Sequence, residues 1–253
     1  MNLHDYDLII INSSGGKDSQ ASLTRVVELA GEQRFPRDKI SVVHADLGRE
    51  EWPGVKALAG DQAAHYGLKF YSVERTRADG SGDSILAYTE RRGKWPSSTN
   101  RWCTSDFKRG PCLRAITRIA RDFGKPCKIL NVFGFRSEES PARSKKIALA
   151  INKKASNKKR QVFDWLPIQE WSEKKVWDTI KRSGVPHHYA YDLGMPRLSC
   201  CFCIFAPTEA LVIAGKANPE LLADYVAVEE RTGHSFKAKQ SIKEIQYLIN
   251  LEE

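Results

Sequence analysis

Blocks of apolar and polar residues alternate along the chain in a pattern that predicts strands and helices by turns. Short aliphatic runs, typical of buried parallel strands, occur at residues 7–12, 40–45, 68–73, 128–133 and 162–168. Segments with helical spacing or capping signals cover residues 18–31, 53–66, 84–92, 108–122, 171–183, 206–215, 219–232 and 241–250. This order predicts an α/β, Rossmann-like fold with a mostly parallel five-stranded sheet and a helical C-terminal extension.

The most informative stretch follows the first predicted strand. Residues 14–19 read Ser-Gly-Gly-Lys-Asp-Ser and lead into a helical segment. A turn between a strand and a helix presents unpaired N–H groups to an anion, and the helix dipole favours negative charge there. The string is neither the dinucleotide pattern G-x-G-x-x-G nor the loop G-x-x-x-x-G-K-(S/T). An ordinary βα turn is the alternative, but the full string favours a phosphate-binding loop.

Two further strand ends carry candidate residues, because ligands of open α/β sheets bind at the carboxyl ends of the strands. Asp46 follows the second strand and could contact nucleotide or Mg²⁺, although a turn or capping aspartate explains it equally well. Gly134, Arg136 and Arg143 follow the fourth strand. A glycine with spaced arginines suits phosphate, because guanidinium groups match oxyanions in a fork.

Composition narrows the range of partners and compartments. The net charge of the 253 residues is +9, which favours a polyanionic partner such as nucleic acid or nucleotides. Residues 145–160 are strongly basic and could be a mobile surface loop, a hairpin or a nucleic-acid contact. No apolar run reaches the length of a membrane span, and residues 1–7 do not resemble a signal peptide. We therefore expect a cytoplasmic protein with no membrane partner.

Six cysteines are present, and three of them cluster near residue 200. Disulfides are rare in cytoplasmic proteins, so this cluster indicates a metal or redox chemistry. The six are Cys103, Cys112, Cys127, Cys200, Cys201 and Cys203.

The loop at residues 14–19 resembles the PP-loop S-G-G-x-D-S of ATP pyrophosphatases at each position. Three more blocks are similar to the phosphoadenosine (and adenosine) phosphosulfate reductases of that superfamily. They are C-x-x-x-x-K-x-x-P-x-x-R-A from Cys103, G-x-R-x-x-(E/D)-S from Gly134, and a module from Pro167 to Cys203. The resemblance spans residues 9–205 and implies a fold of the adenine nucleotide alpha-hydrolase type. We expect a PP-loop nucleotide-binding domain at residues 1–170 and a cysteine-bearing helical module at residues 171–253.

The resemblance implies that ATP is cleaved to AMP and pyrophosphate with Mg²⁺, and that a substrate oxygen is adenylated. Residues expected to bind the nucleotide or its Mg²⁺ are Ser14, Gly15, Gly16, Lys17, Asp18, Ser19, Asp46, Gly134 and Arg136. Residues expected to act in catalysis are Lys17, Asp18, Arg136 and Arg143.

The resemblance also bears on the cysteines, because adenosine phosphosulfate reductases hold a 4Fe–4S cluster with a cysteine pair and a later C-x-x-C. Cys103, Cys200 and Cys203 match, but Thr104 stands where the second cysteine of the pair is expected. Cys112 is the candidate fourth ligand and Cys201 its alternative. Thiolates also hold zinc, and buried inert cysteines are the remaining alternative. We weigh the iron–sulfur cluster above zinc.

The sequence differs from the phosphosulfate reductases at a second point, and this difference changes the expected substrate. Phosphosulfate reductases use a catalytic cysteine in an E-C-G-x-H element near the C-terminus, whereas no cysteine follows Cys203 here. In its expected reaction, the chain more closely resembles the ATP pyrophosphatases of DNA phosphorothioation systems, in which sulfur replaces a backbone oxygen. We expect DNA rather than tRNA as acceptor, and a sulfur-donor protein or other subunits of a modification complex as partners. The alternatives are tRNA thiolation, sulfonucleotide reduction and non-catalytic binding.

Overall fold

The computed structural model describes residues 1–252, which divide into two compact units. Unit 1 consists of residues 1–45, 54–73 and 112–188. Unit 2 consists of residues 46–53 and 74–111 together with the chain from Tyr189 onward. The two units are thus interleaved along the sequence, and the chain does not change from one to the other at residue 170.

Within the described residues the chain forms six strands and ten α-helices. The strands are β1 (Leu8–Ser13), β2 (Ile40–Ala45), β3 (Lys69–Val73), β4 (Cys127–Phe133), β5 (Leu149–Ile151) and β6 (Arg160–Trp165). The helices are α1 (Lys17–Glu32), α2 (Val55–His65), α3 (Ile85–Arg92), α4 (Trp102–Thr104), α5 (Gly110–Phe123), α6 (Pro141–Ser144), α7 (Glu173–Ser183), α8 (Thr208–Ala217), α9 (Pro219–Thr232) and α10 (Ile242–Glu252). None of them combines the length and the apolar character needed to cross a membrane.

The six strands form one sheet in unit 1, in the order β3-β2-β1-β4-β6-β5. All neighbouring pairs are parallel except β5 and β6, which are antiparallel. The α/β class and the mostly parallel sheet are therefore confirmed, and β1 lies between β2 and β4 inside the sheet. The count of five strands was wrong, because the basic stretch at residues 145–160 folds back as a hairpin and adds β5.

The two faces of β1 supply two separate parts of the core, as expected for a strand with helices on both sides. Ile9 and Ile11 pack with Leu23 and Val26 of α1. Leu8 and Ile10 point the other way and pack with residues of α5, including Ile116. Continuous aliphatic sequence in β1 thus reflects burial on both faces, which fixes the strand in the middle of the sheet.

Unit 2 is built around aromatic side chains. Trp102 and Phe107 pack with Leu47 and Ile85. The predicted helix beginning at Lys108 starts instead at Gly110, because residues 105–109 form a wider π turn. Around the start of α3, Asp83 accepts hydrogen bonds from three arginines. These charges are therefore satisfied within unit 2.

The end of β4 lies unusually close to the start of α1. A Cβ atom at position 134 would lie 2.5 Å from the carbonyl oxygen of Asp18 and 2.8 Å from the backbone nitrogen of Ser19. Such distances do not occur for real side chains, so only glycine allows this approach. Gly134 therefore holds the segment after β4 against the first turn of α1.

We expect Gly134→Ala to lower the free energy of unfolding by about 1–3 kcal/mol, because the methyl group overpacks rigid backbone atoms. Urea unfolding followed by circular dichroism measures the change. Gly31→Ala is the matched control: a Cβ there meets nothing within 4 Å. Alanine in α1 should raise stability by a few tenths to about 1 kcal/mol. Equal effects of the two changes would contradict this account of Gly134.

Candidate nucleotide-binding site

The loop at residues 14–19 is shaped by its own hydroxyl groups. The backbone N–H of Gly15 donates to the Ser13 hydroxyl at 3.2 Å. The N–H of Ser14 donates to Ser19 Oγ at 3.2 Å, and that hydroxyl donates to the carbonyl oxygen of Gly16 at 2.8 Å. Gly15 has φ of +68°, which an L-residue rarely adopts. The second serine and the first glycine of the motif are therefore needed for the loop conformation itself.

A buried histidine supports the base of this loop. His44 of β2 lies beside Ser13 of β1 in the parallel register, and it is fully buried. Its Nδ1 lies 3.0 Å from the carbonyl oxygen of Ser13. Because a carbonyl only accepts, Nδ1 carries the proton. The histidine thus fixes the residue at which the strand passes into the loop.

Helix α1 begins directly after the loop, with Gly16 as N-cap and no capping side chain. Lys17 is the first helical residue, and only 3% of its surface is exposed. Its Nζ lies 3.4 Å from Glu173 Oε1 and 3.9 Å from Asp18 Oδ2. The ammonium group thus lies at a helix N-terminus, where the dipole also favours an anion, and two carboxylates offset its charge in this structure.

Arg136 forms a buried ion pair with Asp18. Its Nε donates to Asp18 Oδ1 at 2.5 Å, and only 3% of the residue is exposed. Burial raises the pKa of Asp18, although Arg136 and Lys17 oppose this shift by stabilising the carboxylate. The pair joins the first turn of α1 to the segment after β4, next to the close approach at Gly134.

Three glutamates extend this charge network. Glu138 Oε2 accepts from Arg136 at 2.7 Å and from the backbone N–H of Glu173, at the start of α7, at 3.2 Å. Glu139 accepts from the backbone N–H of Arg136 at 2.8 Å and forms an ion pair with Arg143. The guanidinium of Arg143 also lies over the ring of Phe135, 4.4 Å from its centre. Each cation of the site therefore faces a carboxylate.

The sequence predicted that Lys17, Asp18 and Arg136 act at one site, and in the structure Asp18 contacts both cations. No role was predicted for the groups that position them, namely Ser13, His44, Glu138, Glu139 and Glu173. A histidine inside the otherwise apolar strand β2 was a usable signal. Among the acidic partners, Glu139 occupies the acidic position of the G-x-R-x-x-(E/D)-S block. Glu138 and Glu173 gave no signal, since glutamates near a helix start are common on solvated surfaces.

Asp46 belongs to unit 2 and has a turn role there. Its Oδ1 accepts a hydrogen bond from the backbone N–H of Gly48 at 2.8 Å. This is the local bond that aspartate commonly makes to the backbone two residues on. The alternative assignment to nucleotide or Mg²⁺ stays a prediction.

The predicted metal ligands fall into two groups. Cys103 and Cys200 pack against the same aromatic core of unit 2. Cys200 raises the pKa of the half-buried Lys108, and Glu51, Cys203 and Cys103 do so to a smaller extent. Burial raises the pKa of Cys200 to about 12. Cys112 packs in the core of unit 1.

The fit of these cysteines to a metal is incomplete. Cys201 is buried, and burial raises the pKa of its thiol, which disfavours the thiolate that a metal needs. Among residues 1–252, no group of three or more histidine, cysteine, aspartate or glutamate side chains is placed to hold a metal ion. We therefore derive no reaction step through an iron–sulfur or zinc centre.

Asp18 stays the candidate ligand for Mg²⁺ at the loop. Asp18 is the acidic residue of the loop, and its Oδ1 is engaged by Arg136. When bound, Mg²⁺ would neutralise the pyrophosphate that leaves. The loop, Lys17 and Arg136 by themselves provide an anion site with two buried cations, which suits a polyphosphate.

The sheet order reverses between β1 and β4, and the loop after β1 and the arginines after β4 lie at this switch point. This arrangement defines a PP-loop nucleotide-binding α/β protein. The model of the phosphoadenosine phosphosulfate reductase domain matches residues 8–206. The chain belongs to this family, within the PP-loop ATP pyrophosphatase superfamily.

Two solved structures are similar to parts of this chain. The FMN adenylyltransferase of Candida glabrata, in complex with FAD and inorganic pyrophosphate, has a TM-score of 0.51 and 14% identity over 78% of this chain and 58% of that one. The phosphoadenylyl-sulfate reductase of Candida auris, in a phosphate complex, has a TM-score of 0.48 and 14% identity over 76% and 80%. The chain thus spans little more than half of the adenylyltransferase. No curated protein matches the chain.

We expect the Asp18–Arg136 pair to show strong coupling in a double-mutant cycle. Asp18→Asn and Arg136→Met each leave a buried charge, so each should cost about 2–4 kcal/mol of unfolding free energy. The double variant should lose less than the sum of the two, with a coupling of about 2 kcal/mol. Denaturant unfolding of the four proteins measures it.

The control is the pair of Arg121 and Asp122, whose side chains are 74% and 57% exposed. Arg121→Met and Asp122→Asn should couple by less than about 1 kcal/mol, because water screens them. Similar small couplings in the two cycles would show that the buried pair does not hold the site together.

Proposed function

We propose that this protein is an ATP pyrophosphatase that cleaves ATP to AMP and pyrophosphate and adenylates a nucleic acid for sulfur incorporation, with the DNA backbone as the favoured acceptor. The observation that carries the proposal is the pair of buried cations, Lys17 and Arg136, beside the loop at the carboxyl end of β1. A site of this kind binds a polyanion at a fixed place, so that one phosphorus atom can be presented to an acceptor.

In this mechanism the β- and γ-phosphates bind to the backbone of residues 14–19 and to Lys17. Arg136 and Arg143 stabilise the charge that develops at the α-phosphate. An acceptor oxygen attacks the α-phosphorus, the bond to the bridging oxygen of the β-phosphate breaks, and pyrophosphate leaves with the electron pair. Attack by water gives AMP instead. Phosphate oxygens take the place of Glu173 and Glu139 as partners of Lys17 and Arg143.

Support for a nucleic-acid acceptor comes from the distribution of charge. The chain carries a net charge of +9. On α5, Arg114, Arg118 and Arg121 are exposed at spacings of four and three residues, so they line one face of the helix. A basic ridge of this kind follows a phosphate backbone without reading its sequence. A sulfur donor would then replace the activated oxygen, with AMP leaving, and we propose a separate protein as that donor.

Sulfonucleotide reduction is the second candidate, because the matching family model describes phosphoadenosine phosphosulfate reductases. That reaction releases sulfite when a thiol donor is supplied, whereas the adenylating reaction releases pyrophosphate from ATP. Cys103, Cys200 and Cys203 stay our candidates for a 4Fe–4S or zinc site, with Cys112 or Cys201 as the fourth ligand. Cytoplasmic location also stays a proposal.

We expect the protein, incubated with ATP, Mg²⁺ and DNA, to form AMP and pyrophosphate, which ion-exchange chromatography separates from ADP and phosphate. Lys17→Ala should reduce the rate by a factor of about 100–1,000, because it removes one cation from the transition state. Lys69→Ala, an exposed lysine of β3, is the matched control and should keep the wild-type rate.

The other outcomes discriminate between the candidates. ADP as product would exclude the PP-loop mechanism. Sulfite release from a phosphosulfate with a thiol, without ATP cleavage, would assign the protein to the reductases. Stronger stimulation by tRNA than by DNA would change the acceptor. Nucleotide binding without turnover under all these conditions would favour a non-catalytic binding module.

We expect binding of a short DNA duplex to depend on salt through the ridge on α5. Removing all three arginines by substitution with alanine should reduce the slope of log K against log salt by about 2–3, since each phosphate contact contributes about 0.9. Fluorescence anisotropy at several NaCl concentrations measures the slope. Alanine at Lys174, Lys181 and Arg182 of α7 removes the same charge elsewhere and should leave the slope nearly unchanged. Equal reductions of the slope in the two triple variants would mean that DNA binding depends only on the net charge of the protein.

A further inference from the structure

Strand β5 lies at one end of the sheet, and one of its edges faces away from the other strands. The backbone N–H of Leu166 donates to the carbonyl oxygen of Ala148, and the N–H of Asn152 donates to that of Val162, both at 2.8 Å. Residues 148 and 152 therefore turn their main-chain groups toward β6. Because these directions alternate along a strand, Leu149 and Ile151 turn theirs away from the sheet. Strand β5 thus ends the sheet with main-chain donors and acceptors that point outward.

Large aliphatic side chains are exposed along the same edge. Ile147, Leu149 and Ile151 are 74%, 39% and 48% exposed. In the register of the hairpin, Leu149 lies opposite Trp165 and Ile151 opposite Phe163. Both aromatic residues belong to the core on the α1 face of the sheet. The exposed side chains of β5 therefore continue a buried apolar surface outward by one strand.

The edge is held in place at both ends. The Gln169 side chain donates to the carbonyl oxygen of Lys146 at 2.6 Å. After the strand, the Asn152 side chain donates to both oxygens of Asp164, at 3.1 and 3.0 Å. Its own Oδ1 accepts from the N–H of Ala155, which is buried in the core. A fixed edge loses little conformational freedom when another strand pairs with it.

Charge indicates what this edge attracts. Residues 145–160 contain no aspartate or glutamate. Lysines flank the strand on both sides at positions 145, 146, 153, 154, 158 and 159. Lysines also protect sheet edges from pairing, but residues 147–152 carry no charged side chain. The strand itself is thus apolar and open, with positive charge only around it.

We propose that β5 binds an extended, acidic segment of a partner polypeptide as an additional strand of the sheet. Its main chain would pair with Leu149 and Ile151, its apolar side chains would cover the aliphatic surface, and its carboxylates would face the lysines. Single-stranded nucleic acid fits less well, because its bases stack on aromatic rings and residues 145–160 contain none.

The test uses the whole chain and a fluorescent peptide of roughly ten residues with alternating valine and glutamate. Two further peptides carry N-methyl groups, one on the valines and one on the glutamates. N-methylation removes donors on one edge only, because N–H directions alternate. We expect only one methylated peptide to lose binding: the valine set if the added strand is antiparallel, the glutamate set if it is parallel.

Variants locate the site. Leu149→Ser with Ile151→Ser should weaken binding of the unmodified peptide by at least about tenfold. Ala148→Ser with Ala150→Ser changes the opposite face of the same strand and should bind within about twofold of the wild type. Circular dichroism and the thermal midpoint show whether each variant is folded, and both pairs should resemble the wild type.

Several results would overturn the proposal. If both methylated peptides bound with the same affinity, main-chain pairing would not contribute, and the peptide would be held by charge alone. Absence of binding up to about 1 mM peptide, or unchanged binding by the Leu149→Ser, Ile151→Ser variant, would exclude β5 as the site. Displacement of the peptide by single-stranded DNA, together with weaker DNA binding by that variant, would assign the edge to nucleic acid.

Discussion

The buried ion pair between Asp18 and Arg136 is the constraint on which the nucleotide site depends. Its partners are 118 residues apart in sequence and belong to the helix after β1 and the segment after β4. Taking both charges out of water is costly, and removal of either partner leaves the other uncompensated. The pair therefore stabilises one relative position of the two segments. Gly134 makes this position sterically accessible, since any side chain would meet the backbone of Asp18 and Ser19.

The remaining charges follow from the same constraint. Lys17 and Arg143 have glutamates as partners, and Arg136 has a second carboxylate in Glu138. An isolated buried cation would lower stability, and a lysine could also lose its proton. The carboxylates avoid this cost, and a ligand that displaces them would meet the positive charges that they now offset. A polyphosphate replaces several carboxylates at once, whereas a single anion replaces one. Under the proposed function, selectivity for polyphosphates would arise from this exchange of partners rather than from an open positive surface.

The sequence predicted what is local and missed what depends on the tertiary structure. Residues 8–19 gave the strand, the loop and the helix start, because all three signals lie within one short segment. Strand β5 has three residues and follows a lysine-rich stretch, so its pattern is too short to identify, and only pairing with β6 defines it. The contacts of Glu173 with Lys17 and with Glu138 likewise join chain segments that meet only after folding. The interleaving of the two units could not be predicted either, because it also depends on contacts between distant segments of the chain.

A row of polar side chains connects the nucleotide site with the edge of the sheet. Asn12 of β1 donates to Asn131 of β4 at 2.8 Å, and Asn131 donates to Asp164 of β6 at 2.7 Å. Asp164 also accepts from Asn152, which follows β5. Each of these bonds joins neighbouring strands, so the row fixes their register. Signalling along it would require a second arrangement of these groups. A polypeptide bound at β5 would instead gain a fixed position with respect to the loop after β1, which is what delivery of a reactant requires.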